Sequence, residues 1–418
     1  MKKIRITGGN ELTGEIKISG AKNSAVALVP ASILSDDIVT IDNIPDISDI
    51  DALNEILEYL GAKVKRCDGT MVIDSSTIEN KEIPEEISKK LRASYYFMSA
   101  LLGKYKHVEM YFPGGCSIGA RPIDQTLKGF KALGATIIED NNKFIIDAKE
   151  LHGGHVYLDM PSVGATINTM LAAVKANGTT IIENAAKEPE IVNVATFLNN
   201  MGAKIKGAGT NEIRIKGVSK LNKGFTEVIP DRIEAGTYTI AGALMGNNLK
   251  ISNIIPEHIE ALTLKLQEMG VDLEINNDNI IVSKPDKYNS VNVKTLGYPG
   301  FATDLQQPLT PLLTYCTGTS KLEETIYENR FQNIPYLNDM GANIVIDKRK
   351  IYVTGPTKLV GKNVVATDLR AGACMVLAGL KAEGVTTISN VEHILRGYEN
   401  IIEKLKNIGA DIELIEEN

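Results

Sequence analysis

LGAKV at residues 60–64, LGATI at 133–137, MGAKI at 201–205, MGVDL at 269–273, MGANI at 340–344 and IGADI at 408–412 are six versions of one phrase. Their glycines, Gly61, Gly134, Gly202, Gly270, Gly341 and Gly409, are spaced by 73, 68, 68, 71 and 68 residues. So regular a period marks an array of structural repeats. In each copy the glycine follows a helical pattern and precedes an alternating one. That is where a helix closes in the left-handed conformation, which glycine tolerates best.

The third copy carries the local pattern most clearly. Ile191, Val194, Leu198 and Met201 recur at steps of three and four, the apolar stripe of a surface helix. After Gly202 the period falls to two. Ile205 lies between Lys204 and Lys206, and Ile213 and Ile215 alternate with Arg214 and Lys216, with a turn-like Ala-Gly-Thr-Asn between the two runs. The pattern reads as helix, then β-hairpin. An earlier helix of small residues precedes it, as in GAKNSAVALVPASIL (20–34), LRASYYFMSALLG (91–103), GATINTMLAAVKANG (164–178), EAGTYTIAGALMGNN (234–248) and LRAGACMVLAGLKAEG (369–384). Small side chains on most faces suit a helix buried in a crowded interior. The strand phrases TIDN, TIIEN, KISN and TTISN fall between the two helices. One unit therefore reads strand, buried helix, strand, surface helix, hairpin.

Units of about 70 residues are small to fold alone, and buried helices need shared walls. Grouped in threes they make two domains of about 200 residues, with the break near Val228-Ile229-Pro230. A cleft between two such lobes is a common ligand site.

The composition of the 418 residues, 43% hydrophobic and 23% charged, is that of a globular chain with a real core. A net charge of −7 argues against a nucleic-acid binder, which needs a basic face, but leaves room for a locally positive pocket. Four scattered cysteines are too few for a disulfide scaffold and point to a reducing compartment. MKKIRITGG has no apolar stretch behind it, so no signal peptide is expected. The longest nearly apolar run, Ala25 to Leu34, is ten residues and contains Pro30 and Ser32, where a membrane span needs about twenty. The expectation is a soluble, cytoplasmic protein, with monomer as the default.

Residues 111–124 read YFPGGCSIGARPID, with glycines and prolines around Cys116. That composition describes an exposed loop, and nearby Arg121 favours the thiolate. A lone cysteine is otherwise a small buried hydrophobe. That reading suits Cys316 and Cys374, in apolar stretches taken as helical, and Cys67 sits in a polar hairpin. Lys22, Arg92, Arg232 and Arg370 stand at the starts of small-residue helices, and Arg396 lies before the last surface helix. A cation at the positive end of a buried helix is awkward unless an anion joins it. It could instead pair with Asp231, Glu234 or Asp368. Asp304 occupies the matching place in the fifth copy with opposite charge, as a helix cap or as a base. His152 and His155 in LHGGH read as turn residues rather than metal ligands. No Gly-Lys-Ser/Thr phosphate loop, GxGxxG after a strand or nucleophile elbow is present.

Together these residues resemble the UDP-N-acetylglucosamine 1-carboxyvinyltransferases, enolpyruvyl transferases of the EPSP synthase family. The resemblance covers nearly the whole chain. It rests on ISGAKNSA at 18, LRASYY at 91, PGGCSIGARPID at 113, PSVGAT at 161 and ENAAKEPEIV at 183. It continues through IPDRIEAGTY at 229, YPGFATDLQQP at 298, ATDLRAG at 366 and LRGYENI at 395. The cysteine loop separates this group from its sister, 5-enolpyruvylshikimate-3-phosphate synthase.

The resemblance implies an α/β fold of two lobes, each an inside-out α/β barrel of three βαβαββ repeats. It divides the chain into 21–229, which carries the cysteine loop 111–124, and 1–20 with 230–418. It implies transfer of the enolpyruvyl group of phosphoenolpyruvate to the 3′-hydroxyl of UDP-N-acetylglucosamine, the first committed step of peptidoglycan synthesis, without metal or redox cofactor. Cys116 would be the proton donor and Asp304 the base, with Lys22 and Arg396 also catalytic. Lys22, Asn23, Arg121, Arg370 and Arg396 would hold phosphoenolpyruvate. Asn23, Arg92, Arg121, Pro122, Ile123, Asp124, Gln125, Ser162, Val163, Gly164, Asp304 and Ile326 would hold the nucleotide sugar. Many relatives have histidine where this chain has Thr126, which implies altered sugar-side contacts. The shikimate-pathway synthase and a silent paralogue that binds UDP-sugar without turnover are the competing readings.

Overall fold

The computed structural model describes residues 2–112 and 123–416. These form two compact units. One holds residues 20–112 and 123–229, the other 2–19 and 230–416.

All six repeat glycines sit in the left-handed region, with φ of 102°, 90°, 105°, 90°, 108° and 106° in chain order. Each ends a surface helix and turns the chain into a strand. In the third copy the stripe of Ile191, Val194 and Leu198 lies fully buried on the Pro189–Asn200 helix. The hairpin that follows is Lys204–Lys206 with Glu212–Lys216, antiparallel, Ile205 opposite Ile215.

The small-residue helices are the interior. In the first unit, Lys22–Ala31, Tyr95–Tyr105 and Val163–Ala173 are buried, and Tyr95–Tyr105 packs against both of the others. Their closeness needs small residues. A Cβ on Gly103 would stand 2.8 Å from the Leu171 carbonyl oxygen. In the second unit, Arg232–Met245, Gln306–Leu313 and Leu369–Lys381 pack together in the same way. Two of these inner helices contain a proline, Pro30 in the first copy and Pro311 in the fifth.

Each copy's central strand takes a hairpin strand on one side, antiparallel, and in five copies a short parallel strand on the other. In the first copy Ile38–Asp42 lies between Gly224–Glu227 and Thr70–Asp74, so the last strand of the unit closes onto its first sheet. The sixth copy supplies only one hairpin strand, Asp411–Glu416. The other is Lys2–Thr7, which pairs antiparallel with both Val385–Ser389 and Asp411–Glu416; Ile4 faces Ile388 and Leu414. The amino-terminal strand thus completes a sheet of the carboxy-terminal unit.

Two local expectations need correction. Cys316 is buried, but it opens the strand Cys316–Glu323 rather than lying in a helix. His155 opens the strand His155–Tyr157 and lies 3.1 Å from Glu183, so it is a sheet residue and not part of a turn. Cys374 is buried in a helix and Cys67 exposed in a hairpin. No described helix is long and apolar enough to cross a membrane.

Candidate active site

Within each unit several of the sequence-predicted residues stand at the starts of inner helices. In the first unit Lys22 opens Lys22–Ala31, followed by Asn23. No side chain caps that helix; Lys22 instead reaches Asp49, 2.6 Å away and 4% exposed. Ser24 donates to the Asn193 side-chain oxygen, which also accepts from the Ile229 N–H, so the first turn is tied to the end of the unit. Arg92 precedes the second inner helix, with its guanidinium 5.9 Å from the ring centres of Tyr95 and Phe112. Ser162 caps the third by accepting from the Ala165 N–H at 3.2 Å, so Val163 and Gly164 form its first turn. The second and third helix starts touch, since a Cβ on Gly164 would fall 1.8 Å from the Tyr95 hydroxyl. Ile123 is buried and Asp124 opens Asp124–Ala132. The Gln125 amide donates to Asp159 at 2.9 Å and its oxygen accepts from the Asp159 N–H. Thr126 is buried at 2% exposure. Cys116, Arg121 and Pro122 lie outside the described residues, as does most of the cysteine loop.

The second unit gathers charge around Asp304. Its Oδ1 accepts from Arg330 Nη2 at 2.7 Å and its Oδ2 from Arg370 Nη2 at 3.1 Å. Burial alone would raise the Asp304 carboxyl. Arg370 and Arg330, with Arg232 behind them, outweigh it and hold the group well below the usual carboxylate range. Asp304 is therefore an ion-pair centre and not a helix cap, because its turn has no side-chain cap.

Two of the carboxylates that could pair with the cations also cap helices. Asp231 caps its helix by accepting from the N–H groups of Ile233 and Glu234, and Asp368 does the same for Arg370 and Ala371. Arg370 also lies over the Tyr398 ring at 5.3 Å, while the Tyr398 hydroxyl is 2.9 Å from Thr237. Arg396 follows the short helix Glu392–Leu395 and is half-buried. Ile326 lies just past the strand Cys316–Glu323, in a stretch that leads to Arg330.

Sequence reasoning missed Asp49, Tyr398 and Arg330. Only Arg330 carried a usable signal. It sits in a stretch where the asparagine ending TIDN, TIIEN, KISN and TTISN is replaced by Glu324.

What each cluster can do follows from its charges. Helix starts and buried guanidiniums attract anions. A carboxylate whose two oxygens are both taken is a positioned group whose basicity depends on whether its arginines stay.

Residues 6–405 match the family model described as EPSP synthase (3-phosphoshikimate 1-carboxyvinyltransferase). UDP-N-acetylglucosamine 1-carboxyvinyltransferase 2 of Geobacillus kaustophilus is 55% identical over 412 residues, 99% of this chain and 96% of that protein. UDP-N-acetylglucosamine 1-carboxyvinyltransferase 1 of Streptococcus agalactiae is 53% identical over 419 residues, with both chains covered in full. Among solved structures, the enolpyruvyl transferase NikO from Streptomyces tendae superposes with a TM-score of 0.90 at 27% identity, covering 100% of this chain and 99% of its own. EPSP synthase from Acinetobacter baumannii, at 18% identity and TM-score 0.76 with full coverage of both chains, shares the fold. The chain has the enolpyruvyl transferase fold and belongs to the EPSP synthase family, in the group of the UDP-N-acetylglucosamine 1-carboxyvinyltransferases.

Proposed function

We propose that this transferase moves the enolpyruvyl group of phosphoenolpyruvate to the 3′-hydroxyl of UDP-N-acetylglucosamine and releases phosphate. The observation that carries the reading is full-length similarity to proteins named for this reaction. The clustered cations give it chemical sense, because phosphoenolpyruvate brings a carboxylate and a phosphate and the nucleotide sugar brings a diphosphate. The enzyme would act in the cytoplasm, as a monomer, at the first committed step of peptidoglycan synthesis. Cell shape and division depend on that step. Fosfomycin would be its inhibitor, through Cys116.

Cys116 gives a proton to the methylene carbon of phosphoenolpyruvate, and the second carbon becomes electrophilic. The sugar 3′-oxygen bonds to that carbon while its proton passes to Asp304. The tetrahedral ketal then breaks its bond to phosphate, which leaves with the proton held by Asp304, while one methyl proton returns to the Cys116 thiolate, restoring the double bond as a vinyl ether. Proton transfers of this kind are worth about 10²–10⁴-fold each. Lys22, Arg121, Arg370 and Arg396, with Asn23, hold phosphoenolpyruvate and stabilise charge developing at the phosphate. Arg92, residues 121–125, Ser162 to Gly164 and Ile326 hold the nucleotide sugar.

Asp304 in the free chain is a weak base, because two guanidiniums occupy its oxygens. Arg370 has a second use as a ligand of phosphoenolpyruvate. Its shift from Asp304 to the substrate's carboxylate frees Oδ2 and raises the basicity of the group. Proton acceptance is thereby confined to the complex that has phosphoenolpyruvate bound.

The test is phosphate release from phosphoenolpyruvate with each acceptor in turn. Release with UDP-N-acetylglucosamine and not with shikimate 3-phosphate is expected. The reverse pattern would overturn the reading, and release with neither would favour a silent UDP-sugar-binding paralogue.

A further inference from the structure

In three copies, the residue after the central strand is an asparagine with a structural task. Asn43, Asn184 and Asn253 are left-handed, with φ of 56–57°. Their side-chain amides donate to the carbonyls of Val228, Leu158 and Ile18 at 2.7–2.8 Å. Each of those carbonyl residues follows the neighbouring parallel strand. Asn390 holds the same place and conformation in the sixth copy. The asparagine ties two strand ends together.

In the fifth copy that place is Glu324, and its φ is not positive. The neighbouring strand there is Asn292–Lys294, followed by Thr295. The tie persists without Glu324, because the Thr325 hydroxyl donates to the Thr295 carbonyl oxygen. The glutamate is therefore free of the task its position performs elsewhere, yet it is 1% exposed.

Its carboxylate is fully employed in another direction. Oε1 accepts from the Thr295 hydroxyl at 2.9 Å and from the N–H groups of Ile326 at 2.7 Å and Tyr327 at 3.2 Å. Oε2 accepts from the Thr303 hydroxyl at 2.8 Å. Thr303 in turn accepts from Arg330 Nη1 at 2.7 Å, and Arg330 holds Asp304 through its other amino group. The Tyr327 ring, fixed through its backbone by Glu324, lies 5.0 Å from the same guanidinium.

We infer that Glu324 is a positioning residue for the transfer reaction. It fixes the Ile326 backbone with one oxygen and, through Thr303, orients Arg330 against Asp304 with the other. The inference rests on the functional reading above, in which Ile326 and Asp304 both face the nucleotide sugar. A carboxylate is required because all four of its partners are donors. An amide at this place would turn an N–H₂ toward Thr303. The hydroxyl would then accept from both sides, and its own proton would have no acceptor.

The experiment compares Glu324→Gln, Thr303→Val and the double variant with wild type, using whichever acceptor the wild-type enzyme turns over. A wrong acceptor would thus count against the functional reading while the comparison still runs. Each single variant is expected to lose about tenfold in kcat with the KM for phosphoenolpyruvate unchanged. The double variant should be no slower than the slower single, because both cut one relay. Thr303→Val keeps the side-chain volume and removes no charge, so it reports even if Glu324→Gln folds poorly. Folded single variants with kcat within twofold of wild type would overturn the proposal. So would losses that multiply in the double variant, or a tenfold rise in the KM for phosphoenolpyruvate with kcat intact.

Discussion

Asp304→Asn is the sharpest perturbation of the second unit, because it removes one charge and almost no volume. Asp304 bridges Arg330 at 2.7 Å and Arg370 at 3.1 Å, and both guanidinium side chains are nearly buried, at 3% and 4% exposure. With an effective dielectric of about 20, each contact is worth roughly 5–6 kcal/mol of Coulomb attraction before desolvation is counted. Desolvation offsets much of that, and breaking a buried pair typically costs about 3–5 kcal/mol. Asparagine keeps one acceptor for one arginine but turns a donor toward the other, which removes the counter-charge that the two neighbouring cations share. The lower end, about 3 kcal/mol, is expected because Asp304 itself is 24% exposed. For a unit of this size that lowers the melting temperature by roughly 6–12 °C.

The pH dependence has a definite sign. The folded carboxyl lies below its usual value. Its contribution is therefore complete above the unfolded pKa near ~4 and is lost as pH falls toward the folded one. The gap between wild type and Asp304→Asn should be constant from pH 7 to pH 5 and then narrow by about 1.4 kcal/mol per pH unit below ~4. Calorimetry on both proteins from pH 7 to pH 3 measures it. A variant melting within 1–2 °C of wild type at pH 7 (roughly half a kcal/mol), or a gap that widens in acid, would refute the ion-pair reasoning. Turnover should fall about 10²–10⁴-fold in the same variant.

Glu234 should give the opposite slope. It is 3% exposed, accepts from Lys404 at 2.6 Å and from the Ser19 N–H at 2.8 Å, and burial pushes its carboxyl up to about 7. A raised folded pKa means stability that is complete below ~4.5 and fades as pH rises through about 7, by roughly 3 kcal/mol. Glu234→Gln should flatten that decline in urea midpoints measured between pH 5 and pH 8, and an equal slope in both proteins would count against it. For the cysteine loop, Cys116→Ala should keep UDP-N-acetylglucosamine binding by calorimetry but lose turnover at neutral pH and sensitivity to fosfomycin. Cys116→Asp should retain some activity, since a carboxyl can also donate a proton, and an unchanged rate in Cys116→Ala would remove Cys116 from the mechanism.

Much of this fold could be read from the sequence because its determinants are local. Gly202 needs no distant partner to reveal a left-handed helix end, and the stripe from Ile191 to Leu198 needs only its own period. Lys2–Thr7 was beyond local reading. Nothing within KKIRIT says that it fills the gap between Val385–Ser389 and Asp411–Glu416, and only the family resemblance put it with that half of the chain. The site divides in the same way. Asp304 stood out as the one carboxylate at a place where other copies carry cations, but its partners Arg330 and Arg370 lie 26 and 66 positions away. Periodicity cannot report a pairing of that kind. Asp49 was hidden for a further reason. It lies in the first turn of a surface helix, where acidic residues are expected for the dipole alone, and yet it is buried against Lys22.

The repeats themselves supply the control that a single sequence otherwise lacks. Six copies solve one packing problem, so a residue that recurs at one place answers to the fold, and a departure needs its own cause. Four copies end their central strand with a left-handed asparagine; two do not. The second copy has Phe112 there, immediately before the glycine-rich segment that carries Cys116. The fifth has Glu324, immediately before the segment that carries Ile326 and Arg330. One departure falls in each unit, and each opens a stretch to which the proposed reaction assigns residues. In the fifth copy the departure is also compensated, because Thr325 restores the strand tie that Glu324 gave up. A substitution that fold stability alone selected would need no such repair. The paired change therefore argues that Glu324 and Thr325 divide between them two tasks that the other copies never had to combine: holding the sheet and holding the site.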